Sequence, residues 1–283
     1  MTEQFRPRGF SILPVVVKNL LILNGLMFLA QIVAESKFGV SLEDMLGLHY
    51  PGALDFRPWQ FITYMFLHGG FWHLFFNMFA LWMFGYALEN IWGPKRFLFY
   101  YFVTGIGAAL IHYLVIYIAI HPAISQMDAI IANPNAPAIF EFITNNKLQI
   151  NQYSGDIYGQ YAKFKDALEA LTYNPDNRQA LLIARNFLVD YREYFMNLPN
   201  VIGASGAVYG ILLAFGMIFP NTLIFIYFFF PLKAKYFVIL YGLIELFYGL
   251  SGSGSNVAHF AHLGGMIFGF FLILYWKKKG RLY

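Results

Sequence analysis

The sequence predicts an all-α protein that crosses a membrane several times, and three observations lead there. Hydrophobic residues make up 59% of the 283 and charged residues only 12%, against about 25% charged in an ordinary soluble domain. A chain this poor in charge lacks the groups to cover a water-facing surface. Second, six apolar segments lie near the ~20 residues that a helix needs to cross a ~30 Å hydrocarbon core. Third, Lys and Arg are concentrated between and beyond these segments rather than within them. There is no Cys, which excludes disulfides, thiolate metal sites and a Cys nucleophile. No basic stripe of the kind that binds nucleic acid is visible.

Taken in order, the first segment is Val15 to Ala34. The basic stretch from Arg6 to Lys18 leads into it as in a signal peptide. The run is long, however, no small-x-small cleavage site follows, and more spans come after, so a retained span is expected. The others run from about Gly70 to Leu88, Phe97 to Ile120, Val201 to Phe219, Tyr236 to Leu250 and Ala258 to Trp276. Asn221 to Phe230 is apolar but short and ends at Pro231, which suggests an interfacial or re-entrant piece. No internal repeat is visible, which disfavours an inverted-repeat transporter.

Orientation follows from the flanking cations. Arg6 and Arg8, Lys95 and Arg96, Lys233 and Lys235, and Lys277 to Lys279 with Arg281 all fall on the cytoplasmic side if both termini are inside. The expected organisation is then a 1–120 segment with a cytoplasmic N-tail, the first three spans and an outer loop. Residues 121–200 form an extracytoplasmic insertion, 201–276 hold spans four to six, and 277–283 are a basic cytoplasmic tail. The insertion carries eight acidic against six basic residues. It reads as partly helical, with Tyr161 to Met196 a helix broken near Asn174-Pro175.

Polar groups within a membrane are costly, so each asks for a reason. Three clusters lie in three different spans. Ser205, between Gly203-Ala204 and Gly206, opens the fourth span, where free helix N–H groups and the positive dipole end suit an oxyanion. His262 opens the sixth span, one turn before Gly265, and Gly265 with Gly269 forms a G-x-x-x-G face for close helix approach. A His there is the natural base for a Ser that is a weak nucleophile until its proton is taken. His259 is a competitor for that role, one turn further out. His73 and Asn77, at i and i+4, share one face of the second span and both donate hydrogen bonds. Each cluster also has a packing reading, since Gly, Ser, His and Asn are common where transmembrane helices touch. Glu245 and Glu89 read as structural hydrogen-bonding groups, so the economical proposal is a Ser-His dyad without a third member. No metal-ligand motif of the H-E-x-x-H kind occurs, and paired His residues as haem ligands have no other support.

Gly203-x-Ser205-Gly206, Ala261-His262-x-x-Gly265-x-x-x-Gly269 and His73-x-x-x-Asn77 resemble the three signatures of the rhomboid family of intramembrane serine proteases. The resemblance covers most of the chain outside 121–200. It implies a six-helix core with a water-filled cavity open to the extracytoplasmic side of the cell membrane. It implies Ser205 and His262 as catalytic dyad, and His73, Asn77 and the Ser205 N–H as oxyanion donors. Tyr209 matches the aromatic that packs on the catalytic His, and Gly265 and Gly269 match the seam between the fourth and sixth helices. Trp59 matches a Trp of the first outer loop, but Gln60 stands where relatives often have Arg, which bears on how that loop is anchored. The implied substrates are transmembrane segments of other membrane proteins, cleaved without a cofactor. The alternative is an inactive relative that binds membrane clients in quality control, although such relatives usually lack the Ser or the His. A transporter or channel would need a charged path, and none is evident.

Overall fold

The computed structural model describes residues 11–226, 229–251 and 256–280, with the side chains of Ile226 and 256–258 left aside. Arg6, Arg8 and Arg281, used above for orientation, lie outside the described residues. Two compact units emerge. The first takes residues up to Leu48, Pro58–Tyr113 and Val201 onward. The second takes His49–Arg57 and Leu114–Asn200.

The first unit begins with α1 (Val15–Val33), continued by a π-helical turn over Ala34–Phe38. Pro14 supplies no side-chain cap for α1. The first turn is instead capped from a distance, because both oxygens of the buried Glu89 accept the Val16 and Val17 N–H groups at 2.9 and 2.8 Å. A carboxylate on unsatisfied helix N–H groups suits both the hydrogen bonding and the dipole, so Glu89 is a structural group. After α2 (Leu42–Leu46) and α3 (Gln60–Thr63), the long α4 (Phe71–Trp92) begins at Gly70 and ends at Gly93. The long α5 (Pro94–Ala132) follows at once and runs on into the second unit, with Pro122 inside it.

Gln60 stands beside Trp59 at the start of α3. Its side chain is fully buried and its amide donates to the Met45 carbonyl at 3.3 Å, while Thr63 Oγ1 donates to the Leu46 carbonyl at 2.7 Å. Gln60 and Thr63 thus tie α3 to the last residues of α2.

The second unit holds the end of α5, then α6 (Ala136–Asn145), α7 (Asp156–Tyr173) and α8 (Arg178–Asn197). Asn135 and Asn177 cap α6 and α8 by accepting the N–H of Ala138 and Ala180, as N-cap Asn residues do. The break at Asn174–Asn177 is where the sequence places it. The unit has its own apolar core, with Ile139, Phe164, Leu171 and Leu188 fully buried and Phe164 stacked on Phe187 at 4.0 Å.

Back in the first unit, α9 spans Ser205–Ile218. This corrects the expected fourth span of Val201 to Phe219. Gly203 sits at φ +128, outside the helical region, so the helix cannot start before it. Phe219 precedes Pro220, a position that disfavours helical backbone. At about 1.5 Å per residue the remaining 14 residues are shorter than a bilayer core. Ten of the 14 residues of α9 are buried and none is exposed, as befits a helix walled by others. In the segment after it, expected as an interfacial or re-entrant piece, Leu223–Ile226 and Phe230–Lys233 pair as antiparallel strands. Two further helices, α10 (Ala234–Ser251) and α11 (Asn256–Lys278), complete the unit.

Among the described residues, five helical segments are long and apolar enough to cross a membrane: Val15–Phe38, Phe71–Trp92, Pro94–Ala132, Ala234–Ser251 and His259–Lys278. Their outer faces are apolar, with Leu26, Trp72, Phe76, Leu243 and Phe271 all well exposed. Such faces suit hydrocarbon rather than water.

Candidate active site

The site is built where α9 meets α11. Gly265 makes the approach possible, since a Cβ there would stand 1.8 Å from the Gly206 carbonyl oxygen. Only a glycine at 265 allows the backbones this close, while the missing Cβ of Gly206 makes room on another side, 2.4 Å from where the Ala108 side chain of α5 stands. Gly269, expected on the same seam, turns elsewhere: its missing Cβ leaves room for the Tyr100 hydroxyl on α5, 2.2 Å from where that Cβ would lie. Tyr100 in turn donates to the Gly210 carbonyl of α9 at 2.8 Å, so Gly269 admits a strut between α5 and α9.

This crossing brings the two sequence-predicted dyad residues together. His262 Nε2 lies 2.8 Å from Ser205 Oγ. Ser205 is the first residue of α9, where helix N–H groups have no intrahelical acceptor. Tyr209, one turn on, stacks on His262 with ring centroids 4.3 Å apart and planes 5° from parallel. That stack fixes the imidazole plane.

Gly203 joins this pair to α4. Its N–H donates to the Tyr64 carbonyl at 2.9 Å, and Tyr64 is itself held by donation to the Gly105 carbonyl at 2.8 Å. A Cβ on Gly203 would meet His73 Nε2 at 3.0 Å and Ser205 Oγ at 3.6 Å. Glycine is therefore required twice here, for its positive φ and for the space. The same measurement shows that His73 Nε2 and Ser205 Oγ border one small volume. His73 Nδ1 accepts from the Gly69 N–H at 3.3 Å, which leaves Nε2 as the protonated nitrogen, facing that volume. Asn77 is buried and its amide donates to the His73 carbonyl at 3.0 Å. An amide nitrogen carries two N–H groups, so a second donor remains.

The position of His73 is secured from α1. Gln31 pairs with the backbone of His68 in both directions, accepting its N–H at 3.0 Å and donating to its carbonyl at 3.2 Å. The buried His68 ring packs edge-on against His73 with centroids 5.1 Å apart.

Sequence reasoning missed one member of the site. Glu245 on α10, buried, receives Tyr209 through its Oε1, while its Oε2 lies 2.7 Å from His259 Nδ1 and 3.0 Å from His262 Nδ1. A Glu amid the apolar residues of a membrane helix was the available signal, but nothing local tells which helix it faces. His259, weighed as a rival base, instead shares this carboxylate. Ligand atoms of Glu245, His259 and His262 lie within 4.8 Å of one another, and a His-His-Glu set is one that zinc accepts. Here ordinary hydrogen bonds already satisfy the carboxylate on both oxygens.

The Rhomboid domain matches residues 55–121 and 180–279, more than half of the chain. The chain belongs to the rhomboid family. It is a helical multi-pass membrane protein, and the lipid bilayer is its solvent. The putative rhomboid protease YdcA of Bacillus subtilis is 46% identical over 55 residues, 19% of this chain and 28% of that protein. An uncharacterized mitochondrial rhomboid protein of Schizosaccharomyces pombe is 24% identical over 234 residues, 79% of this chain and 53% of its own length. An inactive RHOMBOID-like protein of Arabidopsis thaliana is 33% identical over 87 residues, 30% of this chain and 24% of that protein. The chain thus spans between about a quarter and about half the length of these relatives. No solved structure matches it.

Proposed function

We propose that this rhomboid is an intramembrane serine endopeptidase that hydrolyses peptide bonds in or near transmembrane segments of other membrane proteins. The observation that carries the reading is the 2.8 Å contact between His262 Nε2 and Ser205 Oγ. In the proposed reaction His262 Nε2 takes the hydroxyl proton as Ser205 Oγ attacks the scissile carbonyl. The oxyanion is met by the N–H of Ser205, His73 Nε2 and the free N–H of Asn77. Collapse breaks the C–N bond, the amine leaves with the proton from His262, and water hydrolyses the acyl ester by the same base. Gly203, Gly206 and Gly265 hold the helices at the required distance, Gly269 admits the Tyr100 strut, and Tyr209 orients the base.

An intact substrate helix hides its peptide bonds in internal hydrogen bonds, so substrates with helix-weakening residues are favoured. The flanking cations support cytoplasmic termini and a site opening to the extracytoplasmic side, with residues 121–200 on that side as well. The Arabidopsis relative's description as inactive raises the reading of a client-binding factor that does not cut. The presence of both Ser205 and His262 favours the protease.

One experiment separates the two. Reconstituted in lipid with a generic single-span substrate, the wild type is expected to cleave, and Ser205→Ala to lose at least about 10³-fold in rate while remaining folded. A serine-directed fluorophosphonate should label only the wild type. Absence of both cleavage and labelling in the wild type would sink the protease reading.

A further inference from the structure

We infer that Glu245 is a positioning residue that turns the dyad into a Glu-His-Ser relay, with Tyr209 and His259 clamping its carboxylate. The inference rests on the protease reading and adds to it.

An ionised carboxylate can only accept hydrogen bonds. Three side chains converge on Glu245, from Tyr209 on α9 and from His259 and His262 on α11. With Glu245 ionised, each of the three donates to it. For His262, donation from Nδ1 means that the proton of the neutral ring sits there and the Nε2 lone pair is bare. That bare nitrogen is the one 2.8 Å from Ser205 Oγ. Ser205 must then donate to His262, which is the direction in which its proton has to travel. Among the described residues Glu245 alone meets His262 Nδ1, so without it the other tautomer, which presents an N–H to Ser205, is no longer disfavoured.

The same contact acts later in the reaction. When Nε2 takes the proton, the imidazolium carries a positive charge with the carboxylate 3.0 Å from its Nδ1. The Glu245 side chain is only 8% exposed and that of His262 17%, so water screens the pair weakly and the charge separation of the transition state is stabilised. Glu245 itself undergoes no bond change. Tyr209 links the two supports: its ring lies flat on His262 and its hydroxyl holds the opposite oxygen of the carboxylate. His259 takes the same oxygen as His262 at 2.7 Å and keeps the carboxylate from turning away.

The test compares Glu245→Gln, Glu245→Asp and Tyr209→Phe with the wild type, in lipid, for kcat, KM, fluorophosphonate labelling rate and thermal unfolding. Glu245→Gln keeps the size but removes the charge and turns one of the two acceptor oxygens into an N–H donor. It is expected to lower kcat and labelling between about tenfold and a thousandfold, with KM within about twofold. Glu245→Asp should recover part of the loss. Tyr209→Phe, which retains the ring stack, should lose less than Glu245→Gln. In the Ser205→Ala or His262→Ala background, Glu245→Gln should cost nothing further. Wild-type turnover in Glu245→Gln would overturn the inference and leave the protease reading standing. Failure of the wild type to cleave or label would instead strike the protease reading. A second measurement covers the case in which Glu245→Gln does not fold. Histidine ¹⁵N resonances of the wild type, assigned by loss of one signal in His262→Gln, report the resting tautomer. An Nδ1–H ring at His262 is expected, and an Nε2–H ring would overturn the inference.

Discussion

The two units of this chain solve the same problem with opposite materials. In the second unit apolar side chains point inward: Ile139, Phe164, Leu171 and Leu188 are fully buried, Phe164 stacks on Phe187, and the ion pair of Asp128 with Arg192, at 2.6 Å, lies at its surface. In the membrane unit large apolar side chains such as Leu26, Phe76 and Phe271 are exposed, while Asn24, Gln31, Asn77, Glu89 and Glu245 are buried. Water drives the first arrangement through the hydrophobic effect. Lipid cannot drive the second, because a side chain gains nothing by leaving hydrocarbon for an apolar interior. What remains to hold the membrane unit is close contact between small residues and hydrogen bonds between buried polar groups. The residues that create the site and the residues that create the fold are accordingly the same ones in the membrane unit.

The largest expected effect tests that identity. Gly265→Val places a side chain where the Gly206 carbonyl already stands, 1.8 Å from the position of a Cβ. The obstacle is backbone, so no rotamer change relieves it. The expected outcome is loss of both fluorophosphonate labelling and monodisperse behaviour in detergent, while Phe271→Leu, on an exposed part of the same helix, leaves both intact. Normal labelling by Gly265→Val would show that packing does not set the site.

The complementary change belongs in the other unit. Phe164→Ala removes a fully buried ring stacked at 4.0 Å on Phe187 and should cost the second unit about 3–5 kcal/mol. Phe76→Ala, whose side chain is 62% exposed, should cost the membrane unit within about 0.5 kcal/mol. Hydrogen exchange in lipid, read separately for the helices of each unit, checks both. Equal losses from the two substitutions would contradict the contrast between the solvents.

The same contrast explains what could be read from the sequence. Apolar length marks α1, α4, α10 and α11 to within a few residues, because the bilayer sets that length from outside the chain. The break at Asn174-Pro175 is local chemistry and was equally visible, whereas the one at Gly203 was not: the expected span ran through it from Val201, and only the backbone shows its positive φ. The short extent of α9 was not, since a helix buried on all sides need not match the bilayer, and apolar composition alone does not separate helix from flanking coil. The pairing of Leu223–Ile226 with Phe230–Lys233 was hidden for the same reason: a short apolar run gives no periodicity to tell strand from helix. Glu245 is the deepest omission. Its role depends on the side of α10 that faces α11, and that follows from the Gly206–Gly265 approach rather than from any spacing along the chain.

The smallest effect concerns protons. His68 precedes α4 and is buried, and burial, aided by the nearby His73, lowers its pKa from 6.5 to about 4. A histidine whose folded pKa is depressed stays neutral in the native state while the unfolded chain takes up a proton. The stability it contributes is present above pH 6.5 and is lost as pH falls through the window from about 6.5 to about 4. The loss amounts to about 3 kcal/mol at most. Because Gln31 binds the His68 backbone rather than its ring, His68→Gln should keep the loop in place and flatten this pH dependence. Unfolding of the membrane unit followed between pH 7 and 4 in lipid, for wild type and His68→Gln, is the measurement. If both lose stability in parallel, the acid sensitivity of this unit resides elsewhere than in His68.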